Sequence, residues 1–274
     1  MSRIPQVRRW AILSISLSGI LLLVPLFLLQ KNGLPPSAPV NATTIETAPQ
    51  PPTPTELGPR HQLTYQEWVG ILGQEAQVAA HKQPDRLTVL VGDSLSLWFP
   101  PDLLPSDRTW LNQGISGETS DGLLRRMDLF DRVKADTILV MIGINDLIRG
   151  ISPETVLANQ RELIQYLKSV HPKAQIIIQS ILPHGGPSVQ QRHPEDNPPY
   201  WVDHLPDLPN DVIRDLNRQL VKLAKEEGVG YLNLHPRFTN AQGDLQISLS
   251  TDGLHLSRQG YAVWRSQLAA IAKP

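Results

Sequence analysis

Short apolar runs alternate with segments of helical period along most of the chain. The apolar runs predict β-strands at residues 87–91, 137–142, 175–181 and 230–234, with a further strand around Trp110. Helices are predicted, from the 3.6-residue spacing of apolar positions, at residues 65–82, 121–133, 153–170, 211–227 and 258–272. Because the strands are apolar on both faces and helices connect them, the pattern predicts a parallel sheet covered on each side, a three-layer α/β fold.

An apolar stretch near the amino terminus predicts a transmembrane signal anchor. Residues 10–30 have about the length needed to cross a bilayer core. Arg3, Arg8 and Arg9 precede the stretch, so the positive-inside bias keeps residues 1–9 in the cytoplasm and places the rest of the chain on the extracytoplasmic side. A cleaved signal peptide is the alternative, since it also has a basic front and an apolar middle, and it would make the protein secreted.

The next segment is rich in proline, threonine and alanine and has no hydrophobic periodicity. Residues 31–62 are therefore predicted to be a disordered, Pro-rich linker. The alternating pattern follows it, so residues 63–274 are predicted to form the folded domain, with a catalytic core at 87–274 and the helix at 65–82 packed as an extra element.

Composition narrows the choice of function. A chain of 274 residues with 41% apolar content can bury the core of one catalytic-sized domain. The formal net charge of −1, without blocks of like charge, gives no electrostatic reason to expect a nucleic-acid partner. The chain has no cysteine, which excludes disulfides, thiolate catalysis and cysteine-ligated metals.

Four short blocks carry the candidate chemistry. "GDSLS" presents Ser94 directly after the first strand, "NQGISGET" offers backbone N–H groups at its two glycines, "GIND" presents Asn145 after the third strand, and "DGLH" places Asp252 three residues before His255. Each alone is explained by a cap, a turn or a solvated loop. Ligands bind at the carboxyl ends of parallel strands, so the four blocks are expected to meet at one edge. A serine, a histidine oriented by an aspartate, and oxyanion donors are the groups needed for acyl transfer through a covalent intermediate.

These blocks resemble the four conserved blocks of the GDSL-type, or SGNH, esterases and lipases, in the same order, across about residues 87–274. The resemblance implies a flavodoxin-like sheet of five parallel strands. It also implies that Ser94 is the nucleophile, that His255 is the base and later the acid, and that Asp252 orients His255. The oxyanion hole would consist of the backbone N–H groups of Ser94 and Gly117 and the side chain of Asn145. No cofactor and no metal are expected.

The function predicted from these residues is a serine esterase, held at the membrane, that hydrolyses short-chain acyl, lipid or O-acetyl-glycan esters through an acyl-enzyme. An acyltransferase would use the same triad and is the first alternative. A non-catalytic binding module on a tether is the second. Asp93, beside the serine, is expected to make structural hydrogen bonds near the turn.

A long loop follows the fourth predicted strand, at residues 183–210, and carries many prolines and Trp201. Loops of this length often act as lids or specificity elements, so this one is predicted to border the substrate site, with a plain surface loop as the alternative. His184, His193 and His204 raise the hypothesis of a metal site. Their irregular spacing argues against it.

Overall fold

The computed structural model describes residues 63–189 and 199–271. In this part of the chain five parallel strands form one sheet: β1 Leu87–Gly92, β2 Thr109–Gly114, β3 Thr137–Met141, β4 Gln175–Gln179 and β5 Gly230–Leu232. Their order across the sheet is β2-β1-β3-β4-β5, which is the flavodoxin-like order. The prediction of a five-stranded parallel sheet is confirmed.

Helices connect the strands and cover both faces of the sheet. The α-helices of the described residues are α1 Tyr65–Lys82, α2 Ser94–Leu97, α3 Ser120–Leu124, α4 Ile144–Ile148, α5 Pro153–Val170, α6 Tyr200–His204, α7 Asn210–Glu227, α8 His235–Phe238 and α9 Arg258–Ala269. Side chains cap the long helices where the sequence places a capping residue: Ser152 accepts a bond from the first turn of α5, and Ser257 does so for α9.

The pleat of the strands divides the core into two layers. Successive side chains of a strand point to opposite faces, so alternate residues enter different clusters. Val89 of β1 and Ile138 of β3 pack on the face covered by α5 and α7. Their neighbours Leu90 and Leu139 pack on the opposite face with Trp264 of α9. This arrangement explains why the central strands β1 and β3 are apolar at most positions.

The helix predicted at residues 121–133 is wrong in its extent. Helix α3 ends at Leu124, and a separate 3-10 turn spans Met127–Phe130. Arg126 lies between them with φ −125° and turns its side chain inward. There its Nε donates to Glu118 at 2.6 Å and its Nη2 donates to the Gln113 carbonyl at 3.0 Å. These buried bonds outweigh the local preference for one continuous helix.

The predicted signal anchor at residues 10–30 and the predicted linker at 31–62 lie outside the described residues. Among the helices that the structure does describe, none has both the length and the apolar character that crossing a bilayer requires.

Close backbone packing occurs at the carboxyl end of β1. Gly92 pairs with Gly114 of β2 and Met141 of β3. A Cβ atom added at Gly92 would lie far inside contact distance of the Met141 carbonyl oxygen and would also press on the Ser96 hydroxyl. Only glycine fits here, and the chain leaves the sheet immediately afterwards.

We expect Gly92→Ala to lower the free energy of unfolding by about 1–3 kcal/mol or more, because backbone at a sheet centre yields poorly to overpacking. Gly70→Ala is the matched control, since Gly70 lies in α1 with no atom within 4 Å of an added Cβ. It should raise stability by about 0.5–1 kcal/mol through helix propensity. Urea denaturation of both variants measures the difference, and equal effects would contradict the close packing at Gly92.

Candidate active site

Ser94 is the first residue of α2, and a single residue, Asp93, separates it from the end of β1. The helix is capped by Asp93, whose Oδ1 accepts a bond from the Leu95 N–H at 3.0 Å. Because the neighbouring aspartate supplies the cap, the Ser94 hydroxyl is not needed for it. Its Oγ lies 3.0 Å from Nε2 of His255. As the first residue of the helix, Ser94 also has a backbone N–H without an intrahelical acceptor.

His255 lies in the loop before α9, and Asp252 holds its ring. Nδ1 of His255 lies 2.6 Å from Oδ2 of Asp252. Oδ1 of Asp252 accepts the backbone N–H groups of His255 at 2.7 Å and Leu254 at 2.9 Å. An ionised carboxylate only accepts hydrogen bonds, so Nδ1 carries the proton and Nε2 accepts from the Ser94 hydroxyl.

Two opposing effects act on the Asp252 carboxyl. Burial favours its neutral form, but the hydrogen bonds and charge of the His255 ring and the two backbone N–H groups hold its pKa below the usual range. Asp252 therefore stays ionised and keeps the imidazole in one orientation. The Ser250 hydroxyl further fixes the loop by donating to the His255 carbonyl at 2.8 Å.

The predicted oxyanion donors lie after the neighbouring strands. Gly117, in the loop after β2, has φ +72°, a conformation that favours glycine. Within residues 63–189 and 199–271, no hydrogen-bond acceptor is recorded for its N–H. Asn145, in α4 after β3, donates from Nδ2 to the Glu118 carbonyl at 3.0 Å. Ser94, Gly117 and Asn145 thus follow three adjacent strands at the same edge of the sheet.

Charged residues that sequence reasoning did not assign lie beneath this edge. Glu118 and Arg126 form a buried ion pair at 2.6 Å. Asp146 accepts the backbone N–H of Ser120 at 2.9 Å and its hydroxyl at 2.5 Å. Glu118 and Asp146 stand inside the blocks that the sequence singled out, so their positions were a usable signal. Arg126 lies outside these blocks, and no sequence signal pointed to its role, because its partners lie on other elements.

Two tryptophan rings flank the imidazole of His255. The Trp98 ring, at the end of α2, lies 4.2 Å from it between ring centroids. The Trp201 ring, in α6, meets it edge-on at 5.7 Å. Trp201 belongs to the loop after β4, so part of this loop lies directly beside His255.

The histidines of that loop serve local hydrogen bonds. Nε2 of His184 donates to the Leu208 carbonyl at 2.6 Å, and its Nδ1 accepts the Gly186 N–H at 3.1 Å. Nδ1 of His204 bonds to the carbonyl of its own helix at Tyr200. His193 lies outside the described residues. In the part of the chain that the structure describes, no three histidine, aspartate or glutamate side chains are grouped to hold a metal ion.

This arrangement has the groups that serine hydrolases use: a hydroxyl, an imidazole and an orienting carboxylate at one sheet edge. A model of the GDSL-like lipase/acylhydrolase family matches residues 91–263, more than half of the chain. The chain belongs to the GDSL-like lipase/acylhydrolase family, and the predicted resemblance is confirmed.

Two relatives and one solved structure are similar to parts of the chain. Platelet-activating factor acetylhydrolase IB subunit alpha1 of Rattus norvegicus is 26% identical over 198 residues, which cover 67% of this chain and 74% of the rat protein. Arylesterase of Vibrio mimicus is 35% identical over 105 residues, or 33% of this chain and 52% of that protein. A GDSL-like lipase of Bacteroides thetaiotaomicron has the same fold, with a TM-score of 0.59 at 19% identity over 73% of this chain and 96% of that one. The protein is an ester-hydrolysing enzyme.

Asp93 gives a pH-dependent signature of the site. Burial, aided by the charges of Asp146 and Glu118, raises the pKa of Asp93 from 3.8 to about 7. Its Oδ2 is buried and has no hydrogen-bond partner among the described residues. The unfolded chain loses this proton near pH 4 and the folded chain near pH 7, so folding stability contributed by Asp93 falls as the pH rises between these values.

We expect Asp93→Asn, which mimics the protonated acid, to lack this loss of stability. The free energy of unfolding of the wild type, relative to the variant, should decline between about pH 4 and pH 7 with a slope of at most about 1.4 kcal/mol per unit. Chemical denaturation at several pH values measures it. Labelling of Ser94 by an organophosphonate should persist in the variant, and parallel stability curves would contradict the shifted pKa.

Proposed function

We propose that the protein hydrolyses acyl esters through a covalent intermediate on Ser94. The observation that carries the proposal is the unbroken chain of contacts from the Ser94 hydroxyl to Nε2 of His255 and from Nδ1 to Asp252. An imidazole held in this tautomer has its basic nitrogen directed at the hydroxyl it must deprotonate.

In the first half of the proposed reaction, His255 takes the proton of Ser94 while Oγ attacks the carbonyl carbon of the ester. The carbonyl oxygen becomes an oxyanion, and the imidazolium is stabilised by Asp252. Collapse of the tetrahedral intermediate breaks the bond to the alcohol, which leaves with the proton from His255. Water then attacks the acyl-enzyme by the same steps and releases the acid.

Donors for the oxyanion would come from three sources: the backbone N–H groups of Ser94 and Gly117, and the side chain of Asn145. The Asn145 amide nitrogen carries two N–H groups. One is bound to the Glu118 carbonyl, which fixes the plane of the amide and leaves the second for the substrate. Such donors act strongly because they are oriented before the charge develops.

We favour hydrolysis over acyl transfer, because the family consists of lipases and acylhydrolases and the relatives are named as an acetylhydrolase and an arylesterase. The same constellation supports a catalytic role over that of a tethered binding module, which has no need for a serine bonded to an oriented imidazole.

Replacing the residues of the proposed mechanism should lower esterase activity by amounts that depend on the role of each residue. Ser94→Ala should abolish the burst of p-nitrophenol from p-nitrophenyl acetate. His255→Ala should lower kcat by about 10⁴-fold, and Asn145→Ala by about 10²–10³-fold. Combining Ser94→Ala with His255→Ala should add little to either loss, because the two groups act as a unit.

Ser96→Ala is the matched control for this series, since Ser96 is buried in the same helix and its hydroxyl has no hydrogen-bond partner among the described residues. It should keep the burst and the organophosphonate labelling. A burst that persists in Ser94→Ala would reject the proposed nucleophile.

We further propose that the acyl group is short, of acetyl size. Ser94 is 5% exposed and His255 is 7% exposed, and the rings of Trp98 and Trp201 stand against the imidazole. An acyl chain at Ser94 therefore enters a confined space. The name of the rat relative, an acetylhydrolase, supports the same size of acyl group.

A series of p-nitrophenyl esters from acetate to palmitate tests this proposal. We expect kcat/KM to be highest for acetate or butyrate and to fall for longer chains, because the enclosed site excludes them. Trp201→Ala should shift the optimum toward longer acyl groups, whereas Tyr200→Ala, at the exposed neighbouring position, should not. An optimum at palmitate in the wild-type enzyme would contradict the short acyl group while leaving the esterase mechanism intact.

A further inference from the structure

We propose that Arg149 is a positioning residue that holds the oxyanion loop, residues 115–120, in its active shape. The inference rests on the proposed function, because it concerns how the oxyanion donors are aligned. Arg149 follows the last residue of α4, and its Nη2 donates to the Gly117 carbonyl at 2.8 Å.

Helix α4 and the residue that follows it bind the oxyanion loop at three positions close together in sequence. Arg149 holds the carbonyl of Gly117, and Asn145 holds the carbonyl of Glu118. Asp146 accepts the backbone N–H of Ser120 with both carboxylate oxygens, at 2.9 and 3.1 Å. A short helix after β3 thus fixes the loop after β2 by bonds to its backbone.

The position of the Arg149 bond matters because it falls at the most freely rotating residue of the loop. Gly117 has no side chain to restrict its backbone, and its φ of +72° is one of several conformations open to glycine. Anchoring the Gly117 carbonyl restricts the rotation of the preceding peptide, which carries the proposed N–H donor. The guanidinium also lies close over this residue, with Nη2 3.4 Å from the site of an added Cβ.

The charge of Arg149 acts on the same loop through Asp146. Burial raises the pKa of Asp146, and the bonds from Ser120 together with the charge of Arg149 oppose this rise. Arg149 therefore favours the charged form of the carboxylate that accepts the bonds from Ser120. Its own side chain is on the exposed surface, so its loss removes the loop bond without opening a cavity in the core.

The experiment compares Arg149→Met, which removes both charge and donor, with Arg149→Lys, which keeps both. Arg218→Met is the matched control, because Arg218 is also an exposed arginine and its ion pair with Asp215 lies on α7. The measurements are kcat and KM for p-nitrophenyl acetate, the inhibition constant of a trifluoromethyl ketone that forms an oxyanion on Ser94, and the midpoint of thermal unfolding.

We expect Arg149→Met to lower kcat by about 10–100-fold with little change in KM. The reason is that a displaced Gly117 N–H group would stabilise the oxyanion of the transition state less well. The affinity for the trifluoromethyl ketone should fall by the same factor while the unfolding midpoint changes little. Arg149→Lys should recover most of the activity, and Arg218→Met should match the wild type. In an Asn145→Ala background, Arg149→Met should have a much smaller effect, because both residues act on one oxyanion site.

Three results would overturn the positioning role. These are an unchanged kcat in Arg149→Met, an effect confined to KM, which would indicate direct contact with substrate, and a full additional loss in the Asn145→Ala background. In each case Ser94→Ala would still abolish the burst if the proposed function is correct. An inactive wild-type enzyme would instead reject the proposed function and, with it, the role of Arg149.

Discussion

The structure depends on one close approach of backbone to backbone, at the end of β1. Gly92 lies between Gly114 and Met141 in the sheet, and the space a side chain would need is filled by the Met141 carbonyl and the Ser96 hydroxyl. This approach lets α2 start directly at the sheet edge. Ser94 is thereby held at the edge of the sheet where β2 and β3 also end. The residues of the proposed chemistry come from that common edge.

Beneath the edge lies an unusual concentration of buried charge. Asp93, Glu118 and Asp146 are nearly inaccessible, and Arg126 is the buried cation among them. Isolated charges are costly to bury, so each must be paired, bonded or neutral. Glu118 is paired with Arg126, Asp146 is bonded to Ser120, and Asp93 keeps its proton up to about pH 7. The buried carboxyl groups of Asp93 and Asp146 thus accept backbone N–H groups and hold the backbone around the site in place.

Much of the fold was predictable because periodicity is a local property. The alternation of strands and helices, the caps of α5 and α9 and the extra helix α1 all follow from patterns a few residues long. The helix expected at residues 121–133 was not continuous, because Arg126 bonds inward to Glu118 and Gln113. No local pattern signals a bond whose partners lie on a different strand and loop.

The sequence by itself determined which residues are candidates for the chemistry and that Ser94, Gly117 and Asn145 each come after a strand, since residue identity and strand pattern are both local properties. Only the tertiary structure decided how they meet. It brings the Ser94 hydroxyl to within 3.0 Å of His255 across 161 positions of chain, makes Asp93 rather than Ser94 the helix cap, and directs Arg149 to the Gly117 carbonyl. The contacts of Ser94 with His255 and of Arg149 with Gly117 join segments that are distant in sequence, and their distances depend on how the sheet and its loops pack together.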